Sequence, residues 1–234
     1  MDSVGAKLLL IRSSPFAMSC ALALRQKGVK FEEVPENLSA RSDLLLRSNP
    51  VYKQVPVLIH NGKAVSQSLV ILEYIEEAWP PSNNTPSLLP GSAYDRSLSR
   101  FWADFINKKF IETGLKLMKR FGEEHATARK EIVEQFITLE EGMRAIGSVG
   151  PYFLGQKMSL ADLALVPLVP WFTSFEALGD LKFPGPEQCG RMHEWLKAMR
   201  EDPDVVASVP TADWLLNYTV SFREYIKKHY PGGL

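Results

Sequence analysis

Ser14 is the residue with the clearest chemical potential in this sequence, because it precedes Pro15 at the start of a helical pattern. Proline suits the first position of a helix and serine suits the position before it, so Ser14 is the predicted N-cap. A hydroxyl there can donate a hydrogen bond to a bound thiolate, and the positive end of the helix dipole favours the same anion. A free thiol has a pKa of about 8.5, and lowering it by ~2 units requires about 2.7 kcal/mol, which one charged hydrogen bond and a dipole can supply.

A second stretch, from Val55 to Ser68, has the features of a peptide site. Gln67 and Ser68 follow a predicted strand and fall in the first turn of a helix, where free N–H groups can bind a carboxylate. The alternative is a plain serine cap without a ligand. A cis bond between Val55 and Pro56 turns the backbone groups of Val55 outward and offers a strand-like edge to a peptide. A trans bond would contradict this hypothesis.

These residues are positioned by a small unit of strands and helices in the first third of the chain. Asn61-Gly62 between two apolar runs is a strong hairpin signal, so Val57–His60 and Lys63–Ser66 are predicted antiparallel strands joined by a type I′ turn. Apolar runs and helical spacing predict the other elements: strands over 7–12 and 30–35, and helices over 15–28, 41–47 and 67–79. The order β-α-β-α-β-β-α is that of a thioredoxin-like domain.

The cysteine content argues against a redox function for the first turn. Thioredoxin-like redox proteins carry Cys-Pro-aromatic-Cys there, whereas Ser14 and Ala17 occupy both cysteine positions in this chain. Cys20, further along the helix, is predicted to pack in the core, so dithiol exchange is disfavoured. What remains is a hydroxyl beside a peptide site. A peptide that carries a thiol, glutathione, is the natural candidate for the ligand.

The totals for the whole chain exclude several classes of function. The chain has 234 residues with 27 Lys and Arg against 27 Asp and Glu, and this balance argues against a binder of nucleic acid or anionic membranes. Its two cysteines form no disulfide framework and fit a reducing compartment. No apolar run reaches membrane-spanning length, and the first residues carry no signal pattern. The four histidines lack the spacing of metal ligands, so no metal site is predicted.

The second part of the chain is predicted to be helical throughout. Prolines, serines and asparagines after residue 80 indicate a connection, and a capping box at Ser159–Asp162 with kinks at Pro167 and Pro170 is expected beyond it. Amphipathic spacing predicts helices over 94–119, 123–146, 160–175, 187–200 and 211–229. We expect a thioredoxin-like domain over 1–82, a linker over 83–93 and an all-helical domain over 94–234.

Several longer motifs, each weak alone, are highly specific together. They are Ser14-Pro15-Phe16, Asn49-Pro50-Val51, the run from Val55 to Lys63, Ser68-Leu69, the run from Arg100 to Asp104, and the run from Ala161 to Pro167. On these motifs nearly the whole chain resembles plant glutathione transferases of the tau class. The resemblance implies a cytosolic homodimer with the glutathione transferase fold, active in detoxification, that uses glutathione as co-substrate without a further cofactor.

The resemblance also implies a role for each residue of the glutathione site. Ser14 would face the sulfur of glutathione, Val55 would pair with the cysteinyl backbone, and Gln67 and Ser68 would hold the γ-glutamyl end. The implied glutathione site consists of Ser14, Phe16, Arg41, Gln54, Val55, Gln67 and Ser68.

Three of these positions depart from the residues that the family usually has. Arg41 and Gln54 match positions where lysines usually contact the glycyl end, and Gln67 replaces the usual glutamate. Arg41 keeps a positive charge that can pair with a carboxylate. Gln54 and Gln67 each lose a charge, so we expect this chain to bind glutathione more weakly than is typical of the class.

The second substrate is expected to be a hydrophobic electrophile that binds between the domains. By resemblance, its site consists of Ile111, Leu115, Met118, Trp171, Tyr218 and Phe222. Ile111, Leu115 and Met118 share one helix face, and packing in the core is an equally good interpretation of that spacing. If they line the site, it is apolar and adaptable, because methionine repacks easily.

The predicted function is therefore a glutathione transferase in which Ser14 favours the thiolate that attacks the electrophile. The same thiolate could also reduce organic hydroperoxides. A different class of function is a carrier of apolar small molecules that keeps the fold but turns over little. A thiol oxidoreductase is disfavoured, because it needs a cysteine at position 14.

Overall fold

A mixed four-stranded sheet forms the framework of the first part of the chain in the computed structural model, which describes residues 5–230 and 233. Residues 1–4, which bear on the expectation of no N-terminal signal, lie outside the described residues. The sheet order is β2-β1-β3-β4, with β1 parallel to β2 and the other neighbours antiparallel. The strands are β1 (Ala6–Leu10), β2 (Glu32–Pro35), β3 (Val57–His60) and β4 (Lys63–Ser66).

Three helices complete this unit, and its element order β-α-β-α-β-β-α confirms the predicted thioredoxin-like fold. They are α1 (Pro15–Gln26), α2 (Asp43–Ser48) and α3 (Ser68–Ala78). The hairpin of β3 and β4 has the predicted bounds, and Asn61 (φ 51°) and Gly62 (φ 75°) have the left-handed backbone that a type I′ turn requires. Apolar residues of β1, such as the fully buried Leu8, pack with the helices in the core.

The rest of the chain is mostly helical, as predicted. Its helices are α4 (Ala93–Phe105), α5 (Glu112–Lys119), α6 (Gly122–Ile146), α7 (Leu160–Leu165), α8 (Trp171–Gly179), α9 (Gly190–Glu201), α10 (Pro203–Ser208) and α11 (Ala212–His229). Two details differ from the sequence prediction. The helix predicted over 94–119 contains a π-helical segment, Ile106–Ile111, between α4 and α5, and α10 was not predicted. The domain boundaries at residues 82 and 93 stay a prediction.

The helix predicted over 160–175 is bent, as its prolines indicated. A short 3-10 segment, Val166–Leu168, follows α7, and the axis turns by 48° before α8. The predicted capping box is present, because Ser159 and Asp162 exchange hydrogen bonds at the start of α7. Within the described residues, no single helix is long and apolar enough to cross a membrane; the bent pair Leu160–Leu168 and Trp171–Gly179 meets that test by length and composition only.

Candidate functional site

A pocket of about 510 Å³ lies between the thioredoxin-like unit and the helical part of the chain. One wall comes from the start of α1, the loop before β3 and the start of α3, and the other comes from α4, the π-helical segment and α5. The pocket is lined by Phe16, Asn49, Tyr52, Gln54, Val55, Pro56, Gln67, Ser68, Leu69, Val70, Asp104, Asn107, Lys108 and Glu112. Five of the seven residues predicted for the glutathione site, all except Ser14 and Arg41, are in this lining.

Ser14 occupies the N-cap of α1, as predicted, two residues before Phe16 of the pocket lining. Its side-chain oxygen accepts a hydrogen bond of 3.4 Å from the backbone N–H of Ala17. A hydroxyl that accepts this bond keeps its own proton, which can be donated to an anion at the end of the helix. The neighbouring Ser13 is buried, whereas Ser14 is only half-buried. Of the two serines, Ser14 is therefore the one that a ligand reaches more easily.

The loop before β3 presents Val55 at the pocket. The Val55–Pro56 peptide bond is cis, which is the condition that the peptide hypothesis set. Val55 is half-buried and Pro56 is buried. Val55 precedes β3 and lines the pocket, so its backbone groups are not used by the sheet. A backbone of this kind can form hydrogen bonds with an extended peptide, as an added β-strand would.

Ser68 is the first residue of α3, and a hydrogen bond from the helical part of the chain holds its side chain. Gln67, not Ser68, is the N-cap of α3, and it makes no capping hydrogen bond with its side chain. The interpretation of Ser68 as a plain helix cap is therefore wrong. Asn107 Nδ2 donates a hydrogen bond of 3.1 Å to Ser68 Oγ. The Ser68 hydroxyl proton thus stays available for a carboxylate, in addition to the free N–H groups of the first turn.

Gln54 lines the pocket, and Arg41, which does not, contacts the loop that carries Gln54. Arg41 Nε donates a hydrogen bond of 2.9 Å to the carbonyl oxygen of Lys53, so the arginine is attached to the residue before Gln54. Asn49 Nδ2 donates a hydrogen bond of 2.9 Å to the carbonyl oxygen of Gln54. These bonds order the loop and hold the arginine against the backbone of the residue before Gln54, whose side chain is exposed. A cation in this place suits the carboxylate of a ligand.

Sequence analysis did not identify the residues that the helical part contributes to the pocket. Asp104 and Lys108 form an ion pair of 2.7 Å on this wall, and Asn107 and Glu112 also line it. A continuous amphipathic helix over 94–119 gave no reason to single out Asn107. The π-helical segment around it shifts the phase of the helix, and a shift of this kind has no local sequence signal.

Cys20 lies beneath the pocket and belongs to the core, as predicted. Its thiol donates long hydrogen bonds to the carbonyl oxygens of Phe16 (3.4 Å) and Ser68 (3.8 Å). Burial raises the pKa of the Cys20 thiol far above its usual range, so the thiolate does not form at neutral pH. Cys20 and Cys189 are both free and buried. This environment is that of a structural cysteine, not of a redox centre.

The six residues predicted for the electrophile site differ strongly in exposure. Ile111 and Met118 are each 1% exposed and Trp171 is 5% exposed, so these three side chains pack in the core of this structure. Leu115 and Phe222 are half-buried, and Tyr218 is 38% exposed. The contact of all six with an electrophile stays a prediction, and Leu115, Tyr218 and Phe222 are the more accessible of them.

An aromatic row on α11 connects the accessible residues to the turn that holds Ser14. The rings of Trp214 and Tyr218 stack at 5.6 Å between centroids, and those of Tyr218 and Phe222 at 6.1 Å. The guanidinium of Arg12, two residues before Ser14, lies 4.9 Å from the centroid of the Trp214 ring. The row therefore starts beside the first turn and runs along α11.

Among the described residues no group of three or more His, Cys, Asp or Glu side chains could hold a metal ion.

The comparisons with known proteins agree with this geometry. Residues 4–77 match the family model for the glutathione S-transferase N-terminal domain. The chain is 41% identical to a probable glutathione S-transferase, parA, of Nicotiana tabacum, over 95% of this chain and 97% of the relative. It is 38% identical to a probable glutathione S-transferase, GSTU1, of Oryza sativa subsp. japonica, over 93% of each chain.

Solved structures give the same result. Rice GST1 (OsGSTU1), whose crystal structure is in complex with glutathione, has a TM-score of 0.82 and 36% identity, covering 94% of this chain and 98% of the rice chain. The tau-class glutathione S-transferase MiGSTU from mango, Mangifera indica L., has a TM-score of 0.83 and 31% identity, covering 94% and 99%. With the fold, the pocket and these relatives in agreement, the chain belongs to the glutathione S-transferase family and, within it, to the plant tau class.

Proposed function

We propose that Ser14 is the catalytic hydroxyl of this glutathione S-transferase. The observation that carries the proposal is its position at the N-cap of α1, next to a pocket whose lining includes Phe16, Val55, Gln67 and Ser68. Glutathione would lie along this pocket with its sulfur at the start of α1. The hydroxyl and the positive end of the helix would then favour the thiolate over the thiol.

The pocket suggests an orientation for the rest of glutathione. The γ-glutamyl carboxylate would lie at the start of α3, where Ser68 and the free N–H groups can donate to it. The cysteinyl backbone would pair with Val55. The glycyl carboxylate would extend toward Arg41 and Gln54, where the arginine is held by the carbonyl oxygen of Lys53. This orientation spans the pocket from one end to the other.

The proposed reaction uses the glutathione thiolate, stabilised by the Ser14 hydroxyl and the start of α1. The thiolate donates an electron pair to an electrophilic carbon, a carbon–sulfur bond forms, and the leaving group departs with the electrons of the bond that breaks. The site contributes proximity, orientation and stabilisation of the thiolate. We propose that hydrophobic electrophiles bind between Ser14 and α11, against Leu115, Tyr218 and Phe222 first, with Ile111, Met118 and Trp171 behind them.

The experiment that tests Ser14 is the rate of conjugation of glutathione to a chlorodinitrobenzene-type electrophile, measured against pH. The Ser14→Ala variant is compared with Ser13→Ala, which removes a buried hydroxyl one residue away. We expect Ser14→Ala to lose at least about tenfold in kcat/KM at neutral pH, since one charge-assisted hydrogen bond contributes about 1.5–3 kcal/mol. We also expect its pH profile to shift toward the pKa of free glutathione. Ser13→Ala should keep the rate, and a wild-type rate in Ser14→Ala would contradict the proposal.

We propose further that glutathione binds more weakly here than in relatives with acidic and basic residues at positions 67 and 54. Gln54 is exposed at the rim, and Gln67 offers an uncharged amide at the N-cap of α3. Replacing these residues by charged ones, with Gln54→Lys and Gln67→Glu, should each tighten glutathione binding by about twofold to fivefold, since an exposed ion pair contributes at most about 1 kcal/mol. Titration calorimetry measures the dissociation constant for glutathione in each variant. A micromolar dissociation constant for the wild type would contradict the proposal of weak binding.

We propose that two copies of the chain form a homodimer through an exposed apolar patch. The patch consists of Val51 and Tyr52 before β3, Val70 on α3, and Tyr94 and Phe101 on α4, which are 80%, 59%, 55%, 70% and 61% exposed. Tyr52 and Val70 line the same pocket, and Tyr94 and Phe101 are two turns apart on α4 and so share a face of that helix. Large exposed apolar side chains of this kind usually mark an interface. Sedimentation of the wild type and of Phe101→Glu tests this, and a wild-type monomer would contradict it.

We propose that the enzyme works in the cytosol, because its free thiols fit a reducing compartment. Its proposed role there is the detoxification of hydrophobic electrophiles.

A further inference from the structure

The side chain of Arg223, on α11, reaches the C-terminal end of α5. Its Nη1 donates hydrogen bonds to the carbonyl oxygens of Leu117 (3.0 Å) and Met118 (3.1 Å). The last carbonyl groups of a helix have no donor within that helix, and a cation there also interacts favourably with the helix dipole. One side chain of α11 thus satisfies two acceptors at the end of α5.

Arg223 also contacts the residue that joins α5 to α6. Its guanidinium lies 4.7 Å from the centroid of the Phe121 ring, and the ammonium of Lys227, one turn later on α11, lies 5.7 Å from the same ring. Burial lowers the pKa of the Arg223 guanidinium, which agrees with its partial removal from water. A charged group in such a place is held by its hydrogen bonds and stacks on the ring, so its position is well defined.

The two helices that Arg223 joins carry most of the predicted electrophile site. Leu115 and Met118 are on α5, and Tyr218 and Phe222 are on α11. The other end of α11 is held by the stacking of Arg12 on Trp214. Besides its packing on α8, α11 is thus joined to the end of α5 by the hydrogen bonds of Arg223, close to the predicted electrophile site.

We infer that Arg223 is a positioning residue for electrophile specificity, which holds α11 against the end of α5 and so limits the size of the electrophile that fits. This inference rests on the proposed function, because it uses the proposed electrophile site. It does not involve the glutathione pocket, since neither Arg223 nor its partners line that pocket. Loss of the contact should therefore change electrophile binding and leave glutathione binding as it is.

The test compares Arg223→Met, Arg223→Lys and Lys227→Met with the wild type. Methionine keeps the length of an apolar stem but removes the donors and the charge. Lysine keeps the charge but not the planar donor geometry. Lys227→Met is the matched control, because it removes the more distant cation from the same Phe121 ring without touching the carbonyl bonds. For each variant, kcat and KM are measured for glutathione and for a small and a bulky aryl electrophile.

We expect Arg223→Met to raise KM for the small electrophile about fivefold or more and to shift the ratio of kcat/KM values toward the bulky electrophile, in line with about 1 kcal/mol of lost positioning. KM for glutathione should change less than twofold. Arg223→Lys should lie between Arg223→Met and the wild type, and Lys227→Met should match the wild type. If Arg223→Met is not recovered as a folded protein, the same split in Arg223→Lys decides the question.

Three results would overturn the inference. The first is an unchanged KM for both electrophiles in both Arg223 variants. The second is a parallel rise of KM for glutathione and electrophile, which is the pattern of general destabilisation. The third is an equal effect of Lys227→Met. A wild type with no conjugation at all contradicts the proposed function instead, so the two failures are distinguishable.

Discussion

Replacing Lys27 by methionine would break a buried ion pair that ties three segments of the chain together. Lys27 lies at the end of α1, and its Nζ is 2.6 Å from Glu76 Oε2 on α3 and 2.8 Å from the carbonyl oxygen of Pro86. Glu76 in turn accepts hydrogen bonds from Ser87 Oγ (2.6 Å) and from the backbone N–H of Leu88 (2.9 Å). The cluster thus fixes the connection between the two parts of the chain onto α1 and α3.

The loss of stability expected for Lys27→Met follows from the burial of the Lys27 and Glu76 side chains. The Lys27 side chain is 0% exposed and that of Glu76 is 13% exposed. Removing one partner of a buried pair costs about 3–5 kcal/mol, because the other charge is left without compensation. Glu76 keeps the donors on Ser87 and Leu88, so we expect the lower end, about 3 kcal/mol. For a chain of this size, that corresponds to a fall in Tm of about 6–12 °C.

The assay is unfolding by urea and by heat, at one fixed protein concentration, for the wild type, Lys27→Met and Lys7→Met. Lys7→Met is the matched control, because the Lys7–Glu32 pair has a similar length of 2.7 Å but side chains that are 47% and 59% exposed. Such a surface pair contributes at most about 1 kcal/mol. If Lys27→Met loses no more free energy of unfolding than Lys7→Met does, the reasoning is refuted.

The same cluster has a predicted pH dependence. Burial alone would raise the pKa of the Glu76 carboxyl, but hydrogen bonds from Lys27, Ser87 and Leu88 outweigh it and hold the pKa below its usual value. A carboxyl with a lowered pKa in the folded state stabilises the fold fully above its unfolded pKa of about 4.3 and loses this contribution as the pH falls. The difference between the wild type and Lys27→Met should therefore be constant at neutral pH and shrink below about pH 4.

Three further predictions concern the core. Asp162→Ala removes the acceptor of four hydrogen bonds at the buried start of α7, so its free energy of unfolding, measured in urea, should fall by at least about 3 kcal/mol; a fall below about 1 kcal/mol would contradict this. Gly142→Ala would place a Cβ that clashes with the Trp102 indole, so the free energy of unfolding should fall by about 1–3 kcal/mol in the same assay. Gly190→Ala is the control, because its Cβ meets nothing within 4 Å and its free energy of unfolding should not fall in this way. Cys20→Ser should keep KM for glutathione and the conjugation rate within about twofold, because its thiol is buried and un-ionised; a collapse of activity would favour a redox role.

Much of the fold was predictable because local signals decide it. Asn61-Gly62 set the turn of the hairpin, and both of its strands have the predicted bounds. Pro167 and Pro170 remove backbone donors, so the bend between α7 and α8 followed from residue type alone. The N-cap of α1 at Ser14 followed from the Ser-Pro pair in the same way.

The features that sequence analysis missed depend on distant contacts or on short elements. The hydrogen bond from Asn107 to Ser68 joins residues far apart in the chain, and the π-helical segment that carries Asn107 changes which side chains of that helix face the pocket. The helix α10 has only six residues, although Asp202 before Pro203 was a usable start signal. The burial of Ile111 and Met118 depends on how neighbouring helices pack, which periodicity does not determine.

The hydrogen bond from Asn107 to Ser68 joins the two parts of the chain at the pocket, so ligand binding is expected to affect the stability of the protein as well as its activity. Because both parts of the chain line one pocket, a ligand that fills it bridges them and favours their association. By mass action, a ligand at one hundred times its dissociation constant stabilises the folded chain by about 2.7 kcal/mol. Depletion of the ligand would then lower not only turnover but also the lifetime of the protein, because a chain that opens more often is degraded sooner.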